Sequence, residues 1–94
     1  MIEAETMICH CKEIINNKLY DTGKASVLYK GDRWYFVTRK GNYFSAKKSS
    51  ICNEYTILYT LSDIKLETEE STKDILAKYD IGTYQILFGE VEEA

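Results

Sequence analysis

The sequence predicts an α+β domain, an antiparallel sheet of four to six strands with two helices, in the order α-β-β-β-β-α-β. Two observations predict it. Gly31-Asp32 and Gly41-Asn42 separate three strand-like runs, and such pairs are typical of tight hairpin turns. Apolar residues also recur at helical spacing near both ends of the chain. A strongly curled, partly closed barrel with helices at its ends is the alternative architecture.

The length of the chain sets the scale of the fold. Its 94 residues leave room for one domain, residues 1–94. Scaling with mass predicts about 5,600 Å² of accessible surface after folding. Three cysteines are too few for a disulfide framework, and Glu3 and Glu5 stand where a secretion signal carries lysines. We therefore expect a cytoplasmic protein that does not associate with a membrane.

The first predicted element is a helix over residues 3–19. Its apolar positions repeat every three to four residues, which is the period of one helix face. Gly23 follows as a helix stop, because glycine readily adopts the left-handed conformation of a helix C-terminus. The apolar positions are Ala4, Met7, Ile8, Cys11, Ile14, Ile15 and Leu19.

The middle of the chain predicts an antiparallel meander. Its strands are Ala25–Lys30, Arg33–Lys40 and Tyr43–Lys48, joined by the two glycine-containing turns. A polar loop over 47–53 follows, and then a fourth strand, Glu54–Leu61, rich in Tyr, Thr, Ile and Leu.

The last third predicts a helix and a strand. Thr68 is a suitable N-cap and is followed by carboxylates in the first turn, so a helix is expected from there to about Tyr79. Thr83–Phe88 is expected to form the final strand. If this strand or Glu54–Leu61 lies at a sheet edge, it could pair across a two-fold axis and make a homodimer.

Charge is distributed unevenly along the chain. The net charge is −3, yet residues 24–48 carry seven lysines and arginines against one carboxylate, Asp32. The segments on either side are acidic. A basic middle of this kind can steer the approach of a partner, although basic strands can also simply be paired with acidic neighbours.

The basic middle is also rich in aromatic residues, and this combination defines the candidate site. Two-residue turns place aromatic rings and cations on both sheet faces, of which one must cover the helices and the other faces solvent. Rings and cations together are typical of protein-binding hot spots and of surfaces that bind single-stranded nucleic acid. The rings could instead only pair across strands. The candidate partner-binding residues are Lys30, Arg33, Trp34, Tyr35, Arg39, Lys40, Tyr43 and Lys48.

The acidic balance favours a protein partner over nucleic acid. Nucleic-acid-binding domains are usually basic, whereas this chain has a pI of about 5.1. The prediction is a small, non-enzymatic binding protein that occludes or modulates a larger protein, a role compatible with an inhibitor carried by a phage or mobile element. The alternative is binding of single-stranded nucleic acid or a nucleotide-like anion by residues 24–48. A second candidate surface is acidic and could mimic phosphates: Glu67, Glu69 and Glu70.

The cysteines and the single histidine do not predict a metal site. Cys9, His10 and Cys11 are adjacent, but Cys9 and Cys11 fall on opposite faces of the predicted helix and could not ligate one zinc ion. Cys52 has no local partner. His10 lacks any pattern that pairs a histidine with a nucleophile, and no glycine-rich phosphate loop is present. We therefore expect no cofactor, no metal and no catalytic residues.

Overall fold

The computed structural model describes residues 5–94 and contains seven strands followed by two helices. The strands are β1 (Glu5–Cys9), β2 (Lys12–Ile15), β3 (Lys18–Asp21), β4 (Ser26–Lys30), β5 (Arg33–Val37), β6 (Tyr43–Cys52) and β7 (Thr56–Leu66). The helices are α1 (Glu69–Tyr79) and α2 (Ile81–Phe88).

Five strands form one mixed sheet in the order β1-β7-β6-β5-β4. The strands from β4 to β7 pair antiparallel with their neighbours, which confirms the predicted meander. β1 pairs parallel with β7, so the prediction of a purely antiparallel sheet is wrong. β2 and β3 form a separate two-stranded hairpin.

The predicted order α-β-β-β-β-α-β is wrong at its first element. Instead of a helix, the segment after Ala4 forms β1, β2 and β3; the first two positions of the predicted helix lie outside the described residues. Asn16 and Asn17 both adopt left-handed backbone angles, with φ of 53° and 61°. That conformation closes a tight hairpin whose twist matches its strands. Ile14 and Leu19, which both belong to the apolar side of the predicted helix, instead pair across this hairpin.

The predicted order is also wrong at its last element, because Thr83–Phe88 belongs to helix α2. Asp80 ends α1, donating its backbone N–H to Leu76 O, and caps α2. Its carboxylate accepts hydrogen bonds from the backbone N–H and the hydroxyl of Thr83, at 3.1 and 2.7 Å. These bonds hold the pKa of Asp80 below its usual range. A cap of this kind starts a helix even in a segment rich in strand-forming residues.

The faces of the meander differ from those predicted because both turns shift the register. A two-residue turn at Gly41-Asn42 would pair Val37 with Ala46. Instead β5 ends at Val37, which lies opposite Tyr43, and Phe36 lies opposite Phe44. A shift by an odd number of residues moves a strand's side chains to the other face. A two-residue turn at Gly31-Asp32 would pair Tyr29 with Trp34, but a bulge in β4 places Tyr29 opposite Tyr35.

The hydrophobic core lies between the β2–β3 hairpin and one face of the sheet. Phe44 is fully buried at its centre. Its ring stacks on Phe36 at 5.1 Å and meets the edge of Tyr20 from the hairpin at 5.4 Å. The buried residues of this core are Tyr20, Trp34, Phe36, Phe44, Ala46, Leu61 and Ile64.

The helices pack on the opposite face of the sheet. Thr68 caps α1 as predicted, exchanging hydrogen bonds with Ser71 at 3.0 Å each way. Thr72 and Leu76, one turn apart, are buried where α1 meets the rest of the protein. Tyr79 at the end of α1 stacks on Tyr29 of the edge strand β4.

The molecule is a thin slab of 46 × 38 × 18 Å. Its accessible surface is 7030 Å², roughly a quarter more than the value expected from its mass. The excess is partly apolar, since the hairpin, the distal ends of β1, β6 and β7, and α2 all expose large hydrophobic side chains. Within residues 5–94, neither helix is long and apolar enough to cross a membrane.

Candidate functional site

The predicted partner-binding residues lie in two places, at opposite ends of β5. Four of them, Lys30, Arg33, Tyr35 and Lys48, line a cleft of about 530 Å³ beside α1. Two others, Arg39 and Lys40, line a groove at the other end. Trp34 and Tyr43 line neither. The continuous basic and aromatic sheet face expected from the sequence is therefore not formed.

The cleft is walled by three tyrosines. The rings of Tyr29 and Tyr79 stack at 5.9 Å with planes 20° apart, and Tyr35 lies 6.4 Å from Tyr29. Burial raises the pKa of Tyr35, and the nearby Glu67 carboxylate adds to the effect. Tyr79 of α1 stacks on Tyr29 of β4 and remains more than half exposed. The cleft therefore has an exposed aromatic ring at the junction of the sheet and the helices.

The two lysines of the cleft, Lys30 and Lys48, each lie over an aromatic ring that does not line the cleft. Lys30 Nζ lies 4.8 Å from the centre of the Trp34 ring, and Lys48 Nζ lies 5.8 Å from that of Tyr59. Trp34 is only 4% exposed. Its indole therefore holds Lys30 in place but cannot itself stack on a partner.

Arg33 is held in a hydrogen-bond network rather than free to bind. Its guanidinium donates to Ser45 Oγ at 3.0 Å and to Asp63 O at 2.7 Å, and it pairs with the Asp63 carboxylate at 3.3 Å. Ser45 donates in turn to Glu67 Oε2 at 2.8 Å, and Ser71 donates to Glu67 Oε1 at 2.9 Å. The network ties the sheet to the start of α1, and it joins Arg33 and Glu67, which the sequence placed on two separate surfaces.

The acidic surface predicted around Glu67 is thus partly engaged. Glu69 lies 3.8 Å from Lys73, one turn along α1, and Glu69 and Glu70 both occupy the first turn of the helix. Carboxylates there interact favourably with the helix dipole. Phosphate mimicry by these residues stays a prediction, carried mainly by the exposed Glu69 and Glu70.

The groove at the far end of β5 has a volume of about 760 Å³ and lies between the turn of the β2–β3 hairpin and the β5–β6 connection. Four exposed cations line it: Lys18, Lys24, Arg39 and Lys40. None of them lies within ion-pair distance of a carboxylate among residues 5–94. Asp21 is its one acidic lining residue, and it accepts a hydrogen bond from Gly23 N at 2.8 Å. Lys18 belongs to the segment predicted to be a helix, so its position in this groove was not predicted.

Helix α2 is the feature that the sequence analysis missed entirely. Its sequence is IGTYQILF, and none of its eight residues is buried. Ile86 is 84% exposed, Ile81 60% and Leu87 41%. The helix is held by Phe88, whose ring lies 6.4 Å from Tyr43 and under Lys73 Nζ at 4.9 Å. An apolar helix normally faces a core, whereas α2 leaves much of its apolar surface exposed.

The cysteine and histidine segment does not lie on a helix, so the argument from opposite helix faces does not apply. His10 Nδ1 lies 3.0 Å from Thr22 Oγ1, and the same hydroxyl bonds to both backbone groups of Cys11. Burial raises the pKa of the Cys11 thiol. In the part of the chain that the structure describes, no three His, Cys, Asp or Glu side chains are grouped to hold a metal ion.

Comparisons with protein families, with curated proteins and with solved structures give no match for this chain.

Proposed function

We propose that this chain is a protein-binding module whose partner packs on α2 and extends over the aromatic cleft. The observation that carries the proposal is the exposure of α2, an apolar helix with no buried residue. Contiguous exposed apolar surface on a small protein marks an interaction site.

The surroundings of α2 have the composition of a protein interface. Tyr79 lines the cleft and precedes α2 by two residues, so its ring connects the cleft to Ile81. The exposed apolar centre is flanked by cations, Lys73 beside Phe88 and Lys78 over Tyr79. Interfaces have an apolar centre and a polar rim. The matching partner carries an apolar groove with acidic residues at its border.

Replacing Ile86 with aspartate is expected to weaken partner binding by at least about thirtyfold, because a charge would enter the centre of the interface. The fold should be unaffected, since the Ile86 side chain is 84% exposed. The measurement is recovery of partner from nuclease-treated lysate of the native host by the tagged protein.

The matched control is Gln85→Asp, which introduces the same charge at the neighbouring exposed position of α2. It should retain most of the binding. Equal recovery of every bound protein by Ile86→Asp, Gln85→Asp and the unchanged chain would show that α2 is not the contact surface.

A second candidate function, binding of a nucleotide-like anion or single-stranded nucleic acid, is supported by the groove. Four cations gather there with no carboxylate of residues 5–94 within ion-pair distance, on a chain of net charge −3. Such a cluster attracts phosphate.

If the groove binds nucleic acid, the affinity for a labelled single-stranded oligonucleotide should fall steeply between 50 and 200 mM salt, by roughly tenfold or more for a few phosphate contacts. Arg39→Glu with Lys40→Glu should abolish binding, whereas Lys65→Glu, an exposed position outside the groove, should not. Absence of binding at low salt to an oligonucleotide and to ATP eliminates this candidate.

A further inference from the structure

The two edges of the main sheet differ in how they are protected. β4 carries a bulge between Val27 and Tyr29 and ends on Lys30, and both features discourage pairing with another strand. β1 pairs regularly with β7 over its whole length and contains no lysine, arginine or proline. Among residues 5–94, β7 is its one strand neighbour. β1 is therefore the sheet edge that is open to another chain.

The backbone of β1 determines which groups are available at that edge. Glu5 N donates to Tyr55 O at 2.8 Å, so the peptide groups of Glu5 point towards β7. Successive residues of a strand direct their N–H and C=O groups to alternate sides. Thr6 and Ile8 therefore present theirs to the open edge.

The sequence of β1 is complementary to itself in one antiparallel register. When two copies pair about Met7, Thr6 of each lies opposite Ile8 of the other, and each such pair can exchange both of its N–H···O=C bonds. Glu5, the one charged residue of the strand, then lies opposite Cys9 rather than opposite a second carboxylate. Like charges directly opposite each other would destabilise the pairing, and this register contains none within β1.

The side chains beside β1 gain cover from the same pairing. Met7, Leu58 and Ile51 lie side by side across three strands, and Met7 and Ile51 are 54% and 69% exposed. Pairing about Met7 joins this row to the same row of the second copy. Burial of such apolar surface favours association.

We infer that β1 is the site at which a second copy of this chain adds an antiparallel strand about a two-fold axis through Met7. The two sheets then form one continuous sheet. This dimer is independent of the partner proposed for α2, which lies on a different element.

A cysteine placed at the axis tests the register directly. In a background with Cys9→Ser, Cys11→Ala and Cys52→Ser, the variant Met7→Cys should form an intermolecular disulfide under mild oxidation. Residues at a non-hydrogen-bonded antiparallel pair have Cα atoms about 4.5 Å apart, within the range that a disulfide spans. Gel electrophoresis without reductant should show most of the chain as a dimer.

Two matched variants in the same background should stay uncrosslinked. Ile51→Cys lies in the same exposed row, but its two copies are separated by five strand spacings, roughly 24 Å. In the second variant Cys9 is the one cysteine kept and Met7 is unchanged. The Cys9 residues of the two copies are then four residues apart along the paired strands, roughly 14 Å. Equal crosslinking of all three variants would indicate random collision and overturn the inference.

Light scattering of the unmodified chain gives a second, independent readout. The expected result is a dimer mass that Met7→Lys converts to a monomer mass, because two cations would meet at the axis. Since Met7 is more than half exposed, that substitution should leave the fold intact, which circular dichroism checks. A monomer at millimolar concentration, or a dimer that persists in Met7→Lys, contradicts the inference; so does occupation of β1 by a strand of another protein.

Discussion

Replacing Phe44 with alanine is expected to lower the free energy of unfolding by about 3–5 kcal/mol. Phe44 is fully buried and its ring contacts both Phe36 of the sheet and Tyr20 of the β2–β3 hairpin. Its removal leaves a cavity at the point where the two layers meet. A domain of this size has roughly 5–15 kcal/mol in total, so the variant should be close to unfolding. Urea denaturation followed by circular dichroism measures the change.

The control for this substitution is Tyr55→Ala, which also removes a large ring but at a position 57% exposed. Its effect should stay within about 0.5 kcal/mol. If the two variants have the same midpoint, the hairpin does not cover the sheet as described, and the core assignment is wrong.

Replacing Leu76 with alanine is expected to cost about 2–5 kcal/mol. Leu76 is fully buried on α1, whereas the neighbouring helix α2 has no buried residue. The helices are therefore held on the sheet mainly by α1, with support from the Ser45–Glu67 hydrogen bond and the Tyr29–Tyr79 stack. Denaturant midpoints, together with amide exchange in α1, measure the effect.

Ile86→Ala serves as the comparison for Leu76→Ala. It also shortens an aliphatic side chain in the helical layer, but the Ile86 side chain is almost fully exposed. It should change the unfolding free energy by no more than about 0.5 kcal/mol. A cost for Ile86→Ala equal to that for Leu76→Ala would mean that α2, and not α1, is packed in the core.

The parts of the fold that could be predicted are those with local signals. Gly31 and Gly41 mark the two turns of the meander, and Thr68 with its following carboxylates marks α1. These signals depend on backbone conformation and on hydrogen bonds between residues close in sequence. Such turns and caps therefore form with little dependence on contacts to distant parts of the chain.

The N-terminal strands could not be predicted from apolar spacing, because the same residues satisfy two patterns. Ile14 and Leu19 fit one face of a helix, yet they also pair across a hairpin. The deciding signal is local and was available: Asn16-Asn17 is a pair that adopts left-handed angles. The parallel pairing of β1 with β7 joins residues about fifty positions apart, and no local pattern reports it.

The candidate site was predicted in part because charge is visible in sequence whereas register is not. Lys30, Tyr35 and Lys48 do line one cleft, but Trp34 turns to the core and Arg33 to a hydrogen-bond network. The first hairpin loop is one residue longer, and the second three residues longer, than the two-residue turns assumed from the sequence. Either difference moves side chains of the paired strands to the other face of the sheet. Whether these residues bind a partner remains a prediction.

The proposed function depends on α2 as the surface that meets a protein partner, and hydrogen exchange of the complex is the sharpest test of that role. Once a partner has been isolated, exchange is compared between the free and bound chain. Backbone amides of 81–88 and the cleft residue Tyr79 should exchange more slowly in the complex, whereas those of the β2–β3 hairpin should not change. Unchanged exchange across 81–88, with protection confined to other elements, would show that the partner does not bind α2.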